Sequence, residues 1–349
     1  MSEIPIANLC HMMAYAYGGG FRDVLAFDFG QADASECKEA HSLYAGLLVR
    51  ELTRQMRRGL CKRDLLFHDV LSSPRGRIDV VRNLTTGECF RARFACSFSE
   101  MEEDCLPNQV IKTTLYHLMP LEGVKKSEIR RLISAMEDIG LIELSSVDWL
   151  RLSEMHLPVS YRRMLGLCQL IVKGLLQEGR DGRYRVIQMD DNKKASLFEA
   201  FVRGFYQEHF KEFEPRKRNI DWHCDEQDAA SNLPGMQADI VLESKACTLI
   251  IDTKFYKRAW QSDSTARSAN FYQIYSYVKN ADRTHSGRVR GLLLYARTEG
   301  EEELNVSCSI GGNAFFIRML DLSIPEFKKV EEQIRTYVEL LDCDVHGIT

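Results

Sequence analysis

Two apolar runs separated by a short polar loop constrain the fold of this chain more than any other feature. The stretch MQADIVLESKACTLIIDTKFYKR, residues 236–258, holds two strand-forming runs on either side of the loop SKAC. Aliphatic and β-branched runs bounded by a short polar loop predict an antiparallel hairpin. If Glu243 pairs with Thr248 across that loop, the same register places Asp239 opposite Asp252.

This register brings two acidic side chains and an amine together. Opposed residues of antiparallel strands have Cβ atoms about 4.5–5.5 Å apart, so Asp239 and Asp252 repel each other unless a cation separates them or one is protonated. Side chains alternate along a strand, so Asp252 and Lys254 share one face and Thr253 points to the other. Carboxylate oxygens suit Mg²⁺, whereas zinc prefers His or Cys. The alternative for the same residues is a surface ion pair at a strand end.

Two polar residues on predicted helices are candidates for the same site. Glu199 lies at the edge of the apolar stripe of a helix over 195–210, and Gln273 lies on a helix over 268–280. Glu199 is a candidate catalytic acid and a further metal ligand. The Gln273 amide is a candidate for holding Lys254 or a phosphate oxygen. Either residue is alternatively a polar flank of an amphipathic helix.

The order of these groups along the chain has a counterpart in known nucleases. It is a helix with a Glu, a strand with an Asp, a strand ending in Asp-x-Lys and a helix with a Gln. This order resembles the PD-(D/E)xK nuclease superfamily. Ala238 stands before Asp239, where the superfamily motif has proline.

Further stretches form a second and more specific pattern that spans nearly the whole chain. They are Ile4–Leu9 with Met13 and Tyr15–Tyr17, Gly76–Asp79, Glu103–Leu115, Met236–Ile240 and Asp252–Lys257. In their order and spacing they resemble McrC, the family of nuclease subunits of McrBC-type modification-dependent restriction systems. The resemblance implies that Asp239, Asp252 and Lys254 form the centre of a Mg²⁺-dependent DNA endonuclease, with the Thr253 carbonyl as a further metal ligand.

The same resemblance implies partners. They are a hexameric AAA+ GTPase of the McrB type and double-stranded DNA that carries modified cytosine, which the motor recognises. The chain lacks the G-x-x-x-x-G-K-[ST] motif, so GTP is expected on the partner and not on this chain. Two other functions stay open: an adaptor that only stimulates an NTPase, and a stand-alone DNA-repair nuclease of the same superfamily.

The patterning predicts an α+β amino-terminal domain, with helices and a small sheet or partial barrel, followed by a carboxy-terminal α/β PD-(D/E)xK nuclease domain with a mixed central sheet. The predicted domains are a motor-docking domain over 1–155, a helical connector over 156–190 and the endonuclease domain over 191–349.

Several local patterns sharpen this prediction. The β-prone runs of the small sheet are Leu65–Val70, Ile78–Val81 and Phe90–Phe98. A helical pattern covers 158–177, within the connector. Ser323 and Glu326 have the spacing of a capping box that opens the last helix.

Charge and cysteine content limit the remaining possibilities. The formal charge is −4, so contact with DNA must come from local basic clusters. These are Arg57–Arg58 with Lys62–Arg63, Arg216–Arg218, and Lys257, Arg258 and Arg267. The 11 cysteines are scattered without C-x-x-C spacing, and no signal segment or long apolar stretch is present, so we expect a soluble, cytoplasmic protein without membrane contact.

Overall fold

A computed structural model shows how these patterns fold. It describes residues 4–27, 29, 40–178, 184–186, 190–223, 233–255, 260–261, 265–266, 268–298 and 305–342. Lys257, Arg258 and Arg267, which were expected to contact DNA, lie outside these stretches. No helix within them combines the length and the apolar character needed to cross a membrane.

The helices begin and end close to the predicted signals. They are α1 Ile6–Tyr17, α2 Ala40–Met56, α3 Val80–Thr86, α4 Leu106–Leu118, α5 Lys126–Ser134, α6 Trp149–Ser153, α7 Val159–Leu170, α8 Asp191–His209, α9 Ser268–Ala281 and α10 Phe327–Thr336. Helix α1 begins after Pro5 and ends before Gly18, whose amide donates a hydrogen bond to the Ala14 carbonyl.

The small sheet of the amino-terminal half has three antiparallel strands. They are β1 Arg63–Leu71, β2 Arg77–Ile78 and β3 Phe94–Glu102, in the order β1-β3-β2. The predicted strand over Ile78–Val81 is wrong beyond Ile78. The Asp79 carboxylate accepts a hydrogen bond from the Arg82 amide and caps α3, and Gly87, with a φ of 69°, ends that helix.

The region around the predicted connector also departs from the pattern. Helix α7 ends at Leu170, and one turn of π-helix covers Ile171–Leu175. The short strand β4 Leu176–Glu178 then pairs with β5 Tyr184–Val186. The prediction of helix is therefore wrong for its last two residues, because their backbone groups pair across a hairpin.

The carboxy-terminal half is built on a six-stranded mixed sheet. Its strands are β6 Arg216–Ile220, β7 Met236–Glu243, β8 Thr248–Lys254, β11 Val289–Arg297, β12 Val306–Ile310 and β13 Asn313–Asp321, and the short pair β9 Trp260–Gln261 and β10 Thr265–Ala266 is separate. The order is β12-β13-β11-β8-β7-β6. Strand β11 runs parallel to both β8 and β13, and the other neighbours are antiparallel. This confirms an α+β chain with a mixed sheet and a smaller antiparallel sheet.

One hydrophobic core connects the two halves. Helix α1 packs against α8, where the Tyr15 ring lies 5.7 Å from Phe201 and 5.5 Å from Phe205, centroid to centroid. The Asn8 amide donates hydrogen bonds to the carbonyl groups of Leu322 (2.9 Å) and Ile324 (2.7 Å). The first helix of the predicted docking domain is therefore also part of the packing around the carboxy-terminal sheet. The domain boundaries themselves stay a prediction.

The predicted capping box does not form. The Ser323 hydroxyl donates a hydrogen bond to Asp321 at 2.6 Å, and α10 begins after Glu326 without a side-chain cap. The apolar face of α10 nevertheless packs into the core, since Phe327, Val330 and Ile334 are buried.

Candidate active site

The hairpin between β7 and β8 has the predicted register. Glu243 pairs with Thr248 and Ile240 pairs with Ile251, so the paired stretch ends one position before Asp239 and Asp252. The turn is closed locally, because the Ser244 amide donates to the Cys247 carbonyl at 2.9 Å. The loop length therefore fixes which residues meet at the far end of the two strands.

Asp252 and Lys254 lie on the same face of β8, as the alternation of side chains requires. The Lys254 ammonium is 2.6 Å from Asp252 Oδ2 and donates a hydrogen bond to Gln273 Oε1 at 3.1 Å. Gln273 belongs to α9, which covers this face of the sheet. The contact between Gln273 and Lys254 expected from the sequence is thus present.

Asp252 is a buried carboxylate, and one of its oxygens has no hydrogen-bond donor among the described residues. The residue is 1% exposed, and Oδ1 accepts no hydrogen bond from the described residues. Burial raises the pKa of Asp252 to about 6, and the nearby charges of Asp239 and Glu199 add to the rise, while Lys254 opposes it. An oxygen that is buried, acidic and without a donor is suited to a cation.

Asp239 is held from the neighbouring strand. Its Oδ2 accepts hydrogen bonds from the Thr253 backbone amide and the Thr253 hydroxyl, each at 2.8 Å. Burial raises the pKa of Asp239, the two bonds from Thr253 lower it, and Glu199 raises it further. Both hydrogen bonds converge on a single oxygen, Oδ2.

A tyrosine that sequence analysis missed completes the support of Lys254. The Gln273 side-chain amide donates to the Tyr277 hydroxyl at 2.7 Å, one helical turn further along α9. Burial raises the pKa of Tyr277, so the phenol stays protonated at neutral pH. The signal in the sequence was the i, i+4 spacing of the two residues, which places them on one face of a helix.

Glu199 lies near the site without joining its hydrogen bonds. Its Oε1 is 2.6 Å from Arg203 Nη1 and 2.5 Å from Lys217 Nζ, and its charge acts on both aspartates. Across the described residues, no group of three His, Cys, Asp or Glu side chains is arranged to hold a metal ion. The carboxylates of Asp239 and Asp252 therefore form the acidic part of the site. Glu199 is paired with the side chains of Arg203 and Lys217.

The basic cluster on β6 is neutralised by acidic neighbours. Arg216 lies 2.5 Å from both Glu214 and Glu243, and Arg218 also pairs with Glu243. Lys217 pairs with Glu199, as described above. The side chains of this run, which were expected to contact DNA, are therefore already paired with carboxylates.

The donor set fits a hard divalent cation. Asp252 Oδ1 and the Asp239 carboxylate are oxygen donors, and neither His nor Cys contributes. Mg²⁺ binds through one or two carboxylates and keeps several waters or substrate phosphates, so a third protein carboxylate is not required. The residues present are therefore compatible with Mg²⁺.

Comparisons with known proteins agree with the motif pattern. A family model described as the McrBC 5-methylcytosine restriction system component matches residues 8–296. The Type IV methyl-directed restriction enzyme EcoKMcrBC of Escherichia coli (strain K12) is 23% identical over 309 residues, which cover 85% of this chain and 87% of that protein.

Solved structures show the same fold. A chain of the refined half-complex from the tetradecameric assembly of Thermococcus gammatolerans McrB AAA+ hexamers with bound McrC matches with a TM-score of 0.61 and 15% identity, over 93% of this chain and 75% of that chain. The family match spans most of the sequence, and it includes both aspartates, Lys254 and Gln273. The chain therefore belongs to the family of McrBC 5-methylcytosine restriction system components, and the resemblance to McrC is confirmed.

Proposed function

We propose that this chain is the DNA-cleaving subunit of a restriction complex, a Mg²⁺-dependent endonuclease of the PD-(D/E)xK type. Two observations carry the proposal. The paired stretch of β7 and β8 ends one position before Asp239 and Asp252, and the Lys254 ammonium lies 2.6 Å from Asp252. Two oxygen-donor carboxylates beside an ammonium match the needs of phosphodiester hydrolysis. Membership of a restriction-system family supports the same chemistry.

Each group has a defined part in the proposed site. Asp239, Asp252 and the Thr253 carbonyl would hold Mg²⁺, which when bound polarises a phosphoryl oxygen and lowers the pKa of water. Thr253 fixes the rotamer of Asp239 through two hydrogen bonds. The Lys254 ammonium, held between Asp252 and Gln273, orients the attacking water and offsets the negative charge of the phosphate.

The partner is proposed from the relatives. The Thermococcus gammatolerans assembly contains McrB AAA+ hexamers with bound McrC, and this chain has the fold of a chain in that assembly. We assign to this chain a McrB-type GTPase partner, which the amino-terminal half binds and stimulates. The absence of a phosphate-binding loop motif from the sequence supports GTP on the partner. The proposed substrate is double-stranded DNA with modified cytosine.

The test is cleavage of methylated and unmethylated plasmid by this chain in the presence of its McrB-type AAA+ partner, GTP and Mg²⁺. Asp252→Ala should abolish cleavage and leave stimulation of the partner's GTPase unchanged, because it removes a ligand inside the carboxy-terminal sheet. Asp221→Ala is the matched control. Asp221 is an exposed aspartate with only a 3.7 Å contact to Arg283, and its loss should leave cleavage intact.

The same assay separates the two alternative functions. An adaptor without catalytic activity would stimulate the GTPase, and its complex would cut DNA equally well with Asp252→Ala. A stand-alone repair nuclease would cut without GTP or the partner. Cleavage that requires the partner, GTP and Asp252 excludes both.

A further inference from the structure

A basic groove lies in the amino-terminal half, apart from the carboxylate site. It runs between α2 and α5, encloses about 800 Å³, and is bordered by the loop that carries Gly123. Gly123 has a φ of 73°, and a β-carbon there would crowd the Ser42 hydroxyl at 2.5 Å, so the loop approaches α2 closely. The groove is therefore a formed feature of the fold.

The charges that line the groove are almost all positive. Five basic side chains and one acidic side chain contribute to it: Arg50, Arg54, Arg57, Lys125, Arg131 and Glu128. The basic residues are exposed, as expected for groups that face a solvated groove. The chain as a whole carries a formal charge of −4, so this concentration of positive charge is local.

Two of the arginines are not neutralised within the described chain. Arg54 is 2.8 Å from Glu51, and Arg50 is 4.0 Å from the same carboxylate. Arg57 and Arg131, on opposite walls, form no ion pair with the described residues. They differ in this from the basic run on β6, whose charges are paired with glutamates.

The wall formed by α5 adds to the positive potential. Lys125 and Ser127 line the groove where α5 begins, and no side chain caps that end. The amides of Lys126, Glu128 and Ile129 already donate to the carbonyl groups of Val124 and Lys125, and Glu128 places an acidic group in this turn. The positive charge of this wall therefore comes from the side chains of Lys125 and Arg131.

The shape and composition favour the backbone of duplex DNA as the ligand. Arg50, Arg54 and Arg57 follow one side of α2 over about 10 Å, at 1.5 Å per residue, a length that spans about three phosphates at 3.4 Å per nucleotide. None of the described residues that line the groove is aromatic. A single strand or a free nucleotide is normally held by stacking on aromatic rings, whereas a duplex, whose bases are already stacked, can be held through its phosphates alone.

We propose that the groove between α2 and α5 binds the phosphate backbone of duplex DNA, as a second contact outside the cleavage site. The inference rests on the proposed function in one respect, that DNA is the substrate. It assigns a role to Arg57, which the sequence predicted to contact DNA together with Arg58, Lys62 and Arg63. The other three do not line the groove, and Lys62 and Arg63 pair with Glu103 and Glu102. The contact is independent of base sequence, because phosphates carry no sequence information.

The test is binding of a fluorescent DNA duplex to the full-length chain without divalent metal, measured by anisotropy over a range of salt. The groove variant is Arg57→Glu with Arg131→Glu. The control is Arg82→Glu with Arg151→Glu, which has the same change of charge at two exposed arginines outside the groove. We expect the groove variant to bind about tenfold or more weakly and its salt slope to fall by about 2, and we expect the control to bind like the wild type.

Two results would overturn the proposal. One is unchanged duplex binding by the groove variant; if stimulation of the GTPase partner is lost at the same time, the groove binds an acidic protein surface instead. The other is an equal loss in the control, which would show a general effect of net charge. The binding assay contains no metal, so its outcome does not depend on metal binding by Asp252. Retained cleavage by Asp252→Ala would reject the proposed nuclease function and would leave the result of the binding assay unaffected.

Discussion

At the scale of single residues, burying the Asp252 carboxylate has a large cost in folding free energy. It is buried beside Lys254, and a buried ion pair gains little net stability because both charges lose hydration. Its second oxygen faces no donor from the described residues. Such a group is maintained for function more readily than for stability.

The raised pKa of Asp252 predicts an unusual pH dependence of stability. The carboxyl holds its proton more tightly in the folded chain, with a pKa of about 6, than at its ordinary value of 3.8. Stability linked to this proton is therefore fully present below the ordinary value and is lost as pH rises through about 6. From pH 4 to 7, metal-free wild type should lose up to about 3 kcal/mol of unfolding free energy relative to Asp252→Asn.

Denaturant unfolding of both chains at several pH values measures this difference. Titrating groups far from Asp252 are common to the two chains and largely cancel, whereas Asp239 and Lys254 are coupled to Asp252 and contribute to the difference. A difference that stays constant with pH, or one that grows in favour of the wild type, contradicts the assigned burial of Asp252.

Gln273 is expected to act by positioning Lys254. Gln273→Leu removes the acceptor at 3.1 Å from the ammonium and also the donor to Tyr277, so we expect cleavage to slow by about 10–100-fold, as for other residues that orient a catalytic group. The pH profile of cleavage should change as well, because Lys254 and Asp252 share their electrostatic environment.

The control for Gln273 lies on the same helix. Tyr272 is 68% exposed, and Tyr272→Phe should leave the rate, the pH profile and the melting temperature unchanged. If Gln273→Leu lowers the melting temperature without altering the pH profile, Gln273 has only a structural part.

The sequence predicted single residues well where strand geometry decides their position. Asp239, Asp252 and Lys254 follow from a loop length and the alternation of side chains. The Thr253 hydroxyl, Tyr277 and the ion pairs of Arg216 and Arg218 did not follow. Their partners come from other elements or depend on rotamers, which a one-dimensional pattern does not encode.

At the scale of elements, the sequence predicted helices and strands that have a regular apolar period. It did not predict elements whose limits are set by a local cap or turn. The hairpin and the amphipathic helices stand where the apolar spacing placed them. The first two residues of the Val80–Thr86 helix were predicted as the end of a strand, since its β-branched start did not reveal that Asp79 caps it. Strand β12 was missed because it is only five residues long and mostly exposed, although Val306, Cys308 and Ile310 alternate with two serines.

The contact between α1 and α8 depends on a glycine. A β-carbon at position 204 would overlap the Tyr15 carbonyl oxygen, so Gly204→Ala must push the helices apart. We expect a loss of about 1–3 kcal/mol of unfolding free energy, as for overpacked cores. Thermal and denaturant unfolding measure it.

Gly46 offers the matched control in another helix. A β-carbon there meets no atom within 4 Å, so Gly46→Ala should be neutral or stabilise the chain by about 0.4–1 kcal/mol. Equal effects of the two substitutions would mean that helix propensity, and not the close approach of α1, decides the outcome.

At the scale of the whole molecule, the first helix links the two halves. Tyr15 donates a hydrogen bond to Glu331 at 2.7 Å and lies 2.9 Å from His209 Nε2, and Asn8 binds two carbonyl groups after β13. A contact that closes between residues so far apart in sequence could not be predicted from local patterns. The resemblance over nearly the whole chain did predict the family correctly.

This link predicts that the carboxy-terminal half depends on α1. A fragment of residues 191–349 leaves the apolar faces of Phe201 and Phe205 without the Tyr15 ring. We expect it to melt at a lower temperature than the full chain, or without a cooperative transition. A fragment that melts cooperatively at the temperature of the full chain would contradict this expectation.

The most direct test of the central claim is binding of Mn²⁺, a paramagnetic substitute for Mg²⁺, to the metal-free chain, followed by electron paramagnetic resonance. If Asp239 and Asp252 hold one cation between two strands, Asp239→Asn and Asp252→Asn should each weaken binding by at least about tenfold. Asp221→Asn, at an exposed aspartate, should bind like the wild type. Equal Mn²⁺ affinity in the wild type and all three variants would contradict the account.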